Sequence, residues 1–479
     1  MPLDIPCPTL PDDGLVVFLK AECPTCQLVA PLLPALGATV VVQDAPAAFA
    51  GGWDDTALAL SFAADIEVVP TLIRRVGGRE VARTYGWDRE EWRRLSGDAA
   101  LGEALPVFRP GCGSKSREPN VHEHLVARFG QPGIGSRQVA VGEWDDPIEA
   151  CFDRGWSDGL PVVPPTDARI LRMLAGTPLS PQTVVGRMPP DLAPLTVEKV
   201  AINAVMAGCK PDYMPVLLAA IEAALEPVFT LHGIVCTTCF SAPIIIVNGP
   251  IARSIGMNSG INALGQGNRA NATIGRALNL IIRNVGGGRP GELDRSTIGG
   301  PGKYTFCFAE NEDDPRWQPL AQARGIAPGR SAVTLFQGDG IQGFVDWKSR
   351  TPEELSKSLS MSLLAVGHPK LCEFFNAILV LSPEHHAIFA DAGWDRARIE
   401  ASLRDNLRRP GTELVAGAQG VGEGMAPSRA GDMVDKFWPE GLLVVRAGGA
   451  AGLYSAICCG WSGGRFREES QPVTKEIIA

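Results

Sequence analysis

The chain has 479 residues, of which 45% are hydrophobic and 20% are charged, so it is a globular sequence too long for one ordinary hydrophobic core. We therefore expect two or three domains. Its formal net charge of −9 argues against nucleic-acid and anionic-membrane binding, because both partners require clustered lysine and arginine.

The start of the sequence does not resemble a secretory signal. MPLDIPCPTL lacks a basic leader followed by an apolar block, and the longest apolar runs further along are too short to cross a membrane. We therefore expect a cytoplasmic protein. Twelve cysteines are too sparse for a disulfide scaffold, and in a reducing compartment cysteines are more often redox-active, catalytic, metal-binding or buried.

The first pair of closely spaced cysteines follows a predicted strand. GLVVFLK predicts that strand, and CQLVAPLLPAL has apolar residues at helical spacing. Cys23 then lies at a helix N-terminus, where the helix dipole and free N–H groups favour a thiolate. Cys26, one turn further, is placed to resolve a mixed disulfide on Cys23. A CxxC pair can also bind zinc, although no second ligand pair lies nearby.

A proline before a second predicted strand, Pro70 in IEVVPTLIRR, adds to this pattern. Together the strand, the CxxC pair, the helix and the Val-Pro-Thr segment resemble the thioredoxin family over residues 10–100. The resemblance implies a cis-proline at Pro70 facing the dithiol and a helix-kinking proline at Pro31. Glu22 stands where the family has tryptophan, and the first strand lacks the family's buried aspartate, so the resemblance implies a dedicated redox module.

The segment PVFRPGCGSKSREPN is rich in glycine, proline, serine and charge, which predicts a linker or an extended loop. We place a thioredoxin-like domain at 1–104, a linker at 105–142 and a large catalytic domain at 143–479. Cys112 lies in this linker beside Arg109 and Lys115. These cations would lower its pKa and make it an exchange partner; the alternative is an incidental loop thiol.

Beyond the linker, helical and short-strand patterns alternate, which predicts a larger α/β or α+β domain. TVEKVAINAVMAG is a helix that Thr196 caps and Gly208 ends. Two later segments, TPEELSKSLSMSLLAVGHP and AILVLSPEHH, are similar to TVEKVAINAVMAGCKP and PIIIVNGP. The similarity suggests duplicated halves at about 143–325 and 326–479, hence two pseudo-symmetric lobes.

A second group of cysteines follows in LHGIVCTTCF, where His232, Cys236 and Cys239 have H-x3-C-x2-C spacing. Three hypotheses stay open for it. The cysteines accept electrons from Cys23 and Cys26, the three residues hold zinc or another soft metal, or the thiols are simply buried beside a sheet.

The segment MNSGINALGQGNRANATIGRAL predicts a Gly- and Asn-rich loop that leads into a helix. Its glycines let the backbone approach a ligand, and the helix N-terminus offers N–H groups to a carboxylate or phosphate. The predicted substrate-binding residues are Asn262, Gly265, Gly267, Asn268, Arg269 and Asn271. Further along the same helix, we expect Arg276 and Arg283 to form a solvated face.

A thiol and two acids come next, in KYTFCFAENEDDP. Cys307 as nucleophile and Glu310 as general acid or base would suit catalysis, with Glu312 close by. Strand alternation points Cys307 away from both glutamates, so a core cysteine and solvated acids are an equal alternative.

Two further groups have weaker patterns. Cys458 and Cys459 are adjacent in an apolar segment, where burial or soft-metal binding are the alternatives, and His385 and His386 follow a strand end, where one of them is a candidate ligand or base. Most of 145–479 resembles an uncharacterised bacterial family, some of whose members accompany UGSC-type selenoproteins.

These features favour a thiol-dependent oxidoreductase. The CxxC pair would supply electrons to a cysteine-containing site that acts on a small polar or anionic substrate, with an external thiol reductant or a selenoprotein as partner. One alternative is a hydrolase or lyase that uses Cys307 or a metal held by His232, Cys236 and Cys239. Another is a binding protein for a soft metal or an organometal.

Overall fold

The computed structural model describes residues 9–130, 133–142, 144–462 and 470–478 of the chain. It divides the chain into two compact units, Met1–Ile134 with Thr166–Arg172, and Gly135–Pro165 with Met173–Ala479. Helices and mixed sheets occur in both, so the predicted α/β class is confirmed.

The first unit contains nine short strands and five helices among its described residues up to Gly130. The strands are β1 (Gly14–Leu19), β2 (Thr39–Val42), β3 (Trp53–Asp54), β4 (Val68–Val69), β5 (Thr71–Val76), β6 (Arg79–Tyr85), β7 (Trp87–Asp88), β8 (Phe108–Arg109) and β9 (Cys112–Gly113). The helices are α1 (Pro24–Val29), α2 (Leu33–Leu36), α3 (Ala59–Ala63), α4 (Arg89–Ser96) and α5 (Val121–Phe129).

Five of these strands form one sheet in the order β3-β2-β1-β5-β6. β1 and β2 are parallel, whereas β5 runs antiparallel to both β1 and β6. β1 is central and its residues Val16–Leu19 are fully buried, which explains why its sequence is a continuous apolar run. A 3-10 turn at Ala30–Leu32 separates α1 from α2 around Pro31, because proline has no N–H to continue the helix.

The first unit extends beyond the predicted boundary at residue 104. Within the predicted linker, β8 pairs with β7, β9 pairs with β4, and α5 forms a further helix. The segment therefore completes the first unit instead of leading away from it. Strands of two residues have no recognisable hydrophobic period, so the composition of this segment indicated only a loop.

The other elements follow in chain order. The helices are α6 (Pro147–Asp153), α7 (Asp167–Leu174), α8 (Val197–Ala207), α9 (Met214–Leu225), α10 (Leu231–Cys236), α11 (Pro250–Ser254), α12 (Arg269–Asn284), α13 (Leu320–Ala323), α14 (Pro352–Leu364), α15 (Pro383–Asp391), α16 (Arg396–Asn406) and α17 (Gly411–Leu414). The strands are β10 (Val184–Met188), β11 (Ala193–Thr196), β12 (Ala242–Asn248), β13 (Cys307–Ala309), β14 (Ala332–Val345), β15 (Phe375–Leu381), β16 (Arg408–Pro410), β17 (Met433–Asp435), β18 (Leu442–Arg446), β19 (Tyr454–Ser462) and β20 (Val473–Glu476).

Seven of these strands form the main sheet of the second unit, in the order β13-β12-β14-β19-β15-β18, with β20 paired to β14. The pairs β12–β13 and β15–β18 are parallel, and the other pairs are antiparallel. The sheet curls so that its two outer strands approach each other, and Asn311 N–H donates to the Arg446 carbonyl at 2.7 Å. A core of apolar side chains from six strands fills one face of this sheet.

Helices cover the opposite face. α14, α15 and α16 pack with β15, β18 and β19 in a second apolar core. As predicted, Thr196 caps α8 by accepting from Lys199 N–H, and Gly208 ends it in the left-handed conformation. Among the described residues, no single helix is long and apolar enough to span a bilayer; α8 and Pro211–Leu225 reach that length only when taken together across a bend of 119°.

Candidate functional site

Cys23 occupies the N-cap of α1, where its sulfur accepts the backbone N–H of Cys26 at 3.4 Å. The Val69 carbonyl oxygen lies 3.5 Å from the same sulfur, on the strand that precedes Pro70. The Val69–Pro70 peptide bond is cis, as the resemblance implied. The structure therefore brings Cys23, Cys26 and Pro70 together at one place, and both thiols of the pair are buried there.

The two thiols of the pair differ in acidity. Hydrogen bonds from the Cys26 side chain and Cys112 and from the backbone of Cys26 and Thr25 lower the pKa of Cys23 to about 5, against the opposing effect of burial. Burial raises the pKa of Cys26, and its hydrogen bond to Cys23 raises it further. Cys23 is therefore a thiolate at neutral pH, and Cys26 is a thiol that donates to it.

Cys112 is the third thiol at this place. β9 pairs with β4 so that Cys112 lies opposite Val69, and Cys112 lowers the pKa of Cys23. The expectation that neighbouring cations lower its pKa is wrong. Burial and the Cys23 thiolate raise the pKa of Cys112, and Lys20 opposes them only in part.

In the second unit, Cys307 and Glu310 have different surroundings. Cys307 is buried in β13, and burial raises its pKa, as does the neighbouring Cys209. A thiol of this kind is protonated at neutral pH and has no access to a substrate. The structure therefore favours the core-cysteine alternative over the predicted nucleophile.

Glu310 is the centre of a buried hydrogen-bond network. Its oxygens accept from the side chains of Asn248 at 2.6 Å and Trp317 at 2.9 Å and from the backbone N–H of Leu320 at 2.7 Å. Arg396 forms an ion pair with it at 3.3 Å, and the N–H of Arg446 lies at the same distance. These partners occupy both oxygens, so the carboxylate joins elements of the unit and is not free for proton transfer.

The residues predicted to bind substrate mostly stabilise their own loop. Asn268 caps α12 by accepting from Asn271 N–H at 3.0 Å, so its side chain already occupies the helix N-terminus. Asn271 bonds to the backbone of Asn258 and Ala263. Arg269 donates to the Gly208 carbonyl, and Asn262 donates to the Gln266 carbonyl.

The two loop glycines have geometric reasons for being glycine. A Cβ on Gly265 would lie 2.1 Å from Asn262 Oδ1, and Gly267 has a φ of +111°, which side chains rarely tolerate. The turns of this loop therefore account for its glycines without a bound ligand.

The predicted metal set is not assembled. His232 is exposed on α10, whereas Cys236 and Cys239 are half-buried. Within the described ranges, no group of three or more His, Cys, Asp or Glu side chains is close enough together to hold a metal ion. The expectation of a local zinc site formed by these three residues therefore finds no geometric support in this part of the chain.

A thiol–carboxyl pair that the sequence did not reveal lies on neighbouring strands β14 and β19. Cys459 is half-buried and lies near enough to Asp339 for each to shift the pKa of the other, and burial raises the pKa of Asp339 to about 6. Burial and Asp339 raise the pKa of Cys459 to about 12, and Cys239 is close enough to affect it as well. The pair forms at a β-bulge between Gly338 and Gly340, so the GDG segment was the available signal.

A cavity of about 510 Å³ lies at the start of β12, and two of its lining residues, Ser241 and Gly300, lie next to Cys239 and Asp339. Ser241 lines the cavity, and its hydroxyl lies 3.5 Å from Cys239 Sγ. Gly300 lines it too, and a Cβ there would be 3.1 Å from the Asp339 carbonyl oxygen. Its wall carries Arg283 and Lys303 together with Asp158 and Asp294, and Lys303 forms an ion pair with Asp294 at 2.7 Å.

Three other predicted residues are paired or buried. Arg276 is not solvated, because it forms a largely buried bidentate pair with Asp158 at 2.8 and 2.9 Å. Both histidines are buried; His385 Nδ1 lies 2.7 Å from the Ser455 hydroxyl, and burial lowers the pKa of His386 to about 4.

Comparison of the chain with protein-family models, with curated proteins and with solved structures gave no match.

Proposed function

We propose that the first unit is a thioredoxin-like thiol–disulfide exchange module and that the chain is a thiol-dependent oxidoreductase. The observation that carries this proposal is the position of Cys23 at the N-cap of α1, with its sulfur 3.4 Å from the Cys26 N–H and 3.5 Å from the carbonyl that precedes the cis-proline. The pKa of Cys23, lowered to about 5 beside a protonated Cys26, supports it. A low-pKa sulfur is the thiolate that attacks and leaves readily, and a buried neighbour can then release the partner. The strand order β3-β2-β1-β5-β6 around α1 supports the same assignment.

The experiment for this module is a redox titration of the full chain. The protein is equilibrated in glutathione buffers of graded potential, acid-quenched, alkylated and digested, and disulfide peptides are identified by mass spectrometry. We expect one Cys23–Cys26 disulfide that forms and disappears reversibly with potential. Cys23→Ser must abolish it, and Cys151→Ser, which removes a buried thiol of the second unit, must leave it unchanged. A pair that stays reduced at every potential would exclude the proposal.

For the second unit, we propose that the cavity beside Cys239 and the Asp339–Cys459 pair is the reacting site. Cys236, Cys239 and Cys459 are half-buried, whereas the remaining described thiols of this unit are buried. The cavity wall holds charged groups of both signs, among them Arg283, Lys303 and Asp294, which suits a small polar substrate. Asp339, with a pKa of about 6, is suited to exchange protons with a thiol near neutral pH.

An internal electron relay from the first unit to this site is tested by trapping. In a Cys26→Ser/Cys112→Ser chain, a Cys23 mixed disulfide has neither neighbouring thiol to resolve it. We expect an intramolecular disulfide from Cys23 to Cys239 or Cys459, detected in digests of monomeric protein. Adducts of Cys23 with external thiols alone would reject the relay and leave the exchange module in place.

We also infer that the second unit consists of two pseudo-symmetric halves. Its sheet order has β12, β13 and β14 on one side and β15, β18 and β19 on the other, in mirrored positions with matching parallel and antiparallel pairs. This pattern agrees with the sequence similarity of the segments at α8 and α14. The division would fall between Val345 and Pro352, later than the predicted position near residue 325, because β14 belongs with the first half.

A further inference from the structure

The first unit holds a thiol that the two-cysteine mechanism does not use. Cys112 lies directly opposite Val69 in the β4–β9 pair, and the Val69 carbonyl is 3.5 Å from Cys23 Sγ. In an antiparallel pair, opposite residues have Cα atoms about 4.5–5.5 Å apart. Strand pairing therefore holds Cys112 beside the sulfur of Cys23.

Two hydrogen bonds hold the segment around Cys112 to the elements that flank Cys23, independently of the strand pairing. The two sulfur groups also affect each other, because Cys112 lowers the pKa of Cys23 and Cys23 raises the pKa of Cys112. The Thr25 hydroxyl donates to the Pro110 carbonyl at 2.7 Å, which fixes the segment before Cys112 to α1. Lys20 Nζ donates to the Gly113 carbonyl at 2.8 Å on its other side.

The three thiols differ in their access to solvent. Cys23 and Cys26 are fully buried, whereas Cys112 is half-buried. A partner thiol that approaches the unit thus meets Cys112 more readily than Cys26.

We propose that Cys112 is a second resolving cysteine, which exchanges disulfide bonds with Cys23. The inference rests on the proposed exchange function of the first unit. In the step, the Cys112 thiolate attacks Cys23 Sγ in a mixed disulfide between Cys23 and a partner thiol. The Cys112–Cys23 bond forms, the bond from Cys23 to the partner breaks, and the partner leaves as a thiolate that takes up the proton lost by Cys112. One disulfide replaces another, so no further oxidant or reductant is needed.

The same exchange connects the two internal disulfides. When the Cys26 thiolate then attacks Cys23, the Cys23–Cys26 bond forms and Cys112 is released. Cys112 can therefore return to its thiol state without an external reductant. The site then has two disulfide forms that share Cys23.

The test uses the full chain with Cys26→Ser, Cys112→Ser and both substitutions together. Each reduced protein is treated with glutathione disulfide, acid-quenched and alkylated, and its peptides are analysed by mass spectrometry. We expect Cys26→Ser to form a Cys23–Cys112 disulfide, and the double variant to retain at least about tenfold more glutathione on Cys23. The matched control Cys26→Ser/Cys151→Ser must behave as Cys26→Ser does.

Three outcomes are distinguishable. Equal glutathione on Cys23 in Cys26→Ser and in the double variant would overturn the role of Cys112, while a reversible Cys23–Cys26 disulfide in the wild type would leave the exchange function intact. Absence of glutathione from Cys23 in every variant would overturn both proposals. Cys112→Ala, assayed alongside Cys112→Ser, shows whether a loss of exchange comes from the missing sulfur and not from the new hydroxyl.

Discussion

Replacing Cys26 by alanine removes the strongest hydrogen-bond donor to the Cys23 sulfur. A hydrogen bond to a charged group contributes about 1.5–3 kcal/mol, and about 1.4 kcal/mol corresponds to one pKa unit. The pKa of Cys23, about 5 in the wild type, should therefore rise by about one to two pH units in Cys26→Ala. At pH 6 the thiolate fraction would fall from about 90% to between about 50% and 10%.

The assay is the pH dependence of Cys23 alkylation in the reduced chain, followed by mass spectrometry of the Cys23 peptide. The rate depends on the thiolate, so its midpoint reports the pKa of Cys23. Cys26→Ser is the matched variant, because its hydroxyl still donates, and its midpoint should move less than that of Cys26→Ala. An alanine midpoint equal to that of the wild type would refute the view that Cys26 stabilises the thiolate.

Three further predictions concern the second unit. Glu310→Gln should lower the free energy of unfolding by about 3–5 kcal/mol in denaturant titrations. The substitution removes the buried carboxylate that pairs with Arg396, and the N–H groups of the new amide face groups that are themselves hydrogen-bond donors. Asp339→Asn should speed alkylation of Cys459 at pH 8 by roughly tenfold, since the carboxylate that raises the thiol pKa is gone. Asn268→Ala should lower the free energy of unfolding by about 1 kcal/mol through loss of the helix cap, with unchanged alkylation of Cys459.

Matched controls separate these effects. Among the described residues, Glu312 accepts two hydrogen bonds, from the Asn248 side chain and the Gly249 N–H, so Glu312→Gln should destabilise the protein less than Glu310→Gln. If Glu310→Gln and Glu312→Gln lower the free energy of unfolding equally, the inference that Glu310 is the centre of the network is wrong. A Cys459 alkylation rate that does not respond to Asp339→Asn would show that burial alone governs its pKa.

Local patterns predicted the position of Cys23 at a helix N-terminus in the first unit correctly. The apolar run of β1, the CxxC spacing and the helical period fix the position of Cys23 at the N-cap from neighbouring residues alone. The partnership with Cys112 could not be predicted in this way, because two strands of two residues each create it. The segment around Cys112, with its glycine and proline neighbours, has the composition of an ordinary loop.

In the second unit, too, some features could be predicted from the local sequence and others could not. The helix over TVEKVAINAVMAG could be predicted from its cap, its apolar face and its terminal glycine. The partners of Glu310 could not, because they come from positions between Asn248 and Arg446 that only the folded sheet brings together. Asp339 was missed because a polar residue inside a strand has no period of its own, and only its flanking glycines mark the bulge.

The meeting of Asn311 with Arg446 has a consequence for solubility. A strand at the margin of a sheet can recruit a strand from another molecule through its free backbone groups. Here the N–H of Asn311 and the carbonyl of Arg446 satisfy each other, and Glu310 beside them accepts the N–H of Arg446. A variant that loses this contact would free backbone groups at the ends of both outer strands, so it should self-associate into aggregates before it unfolds completely.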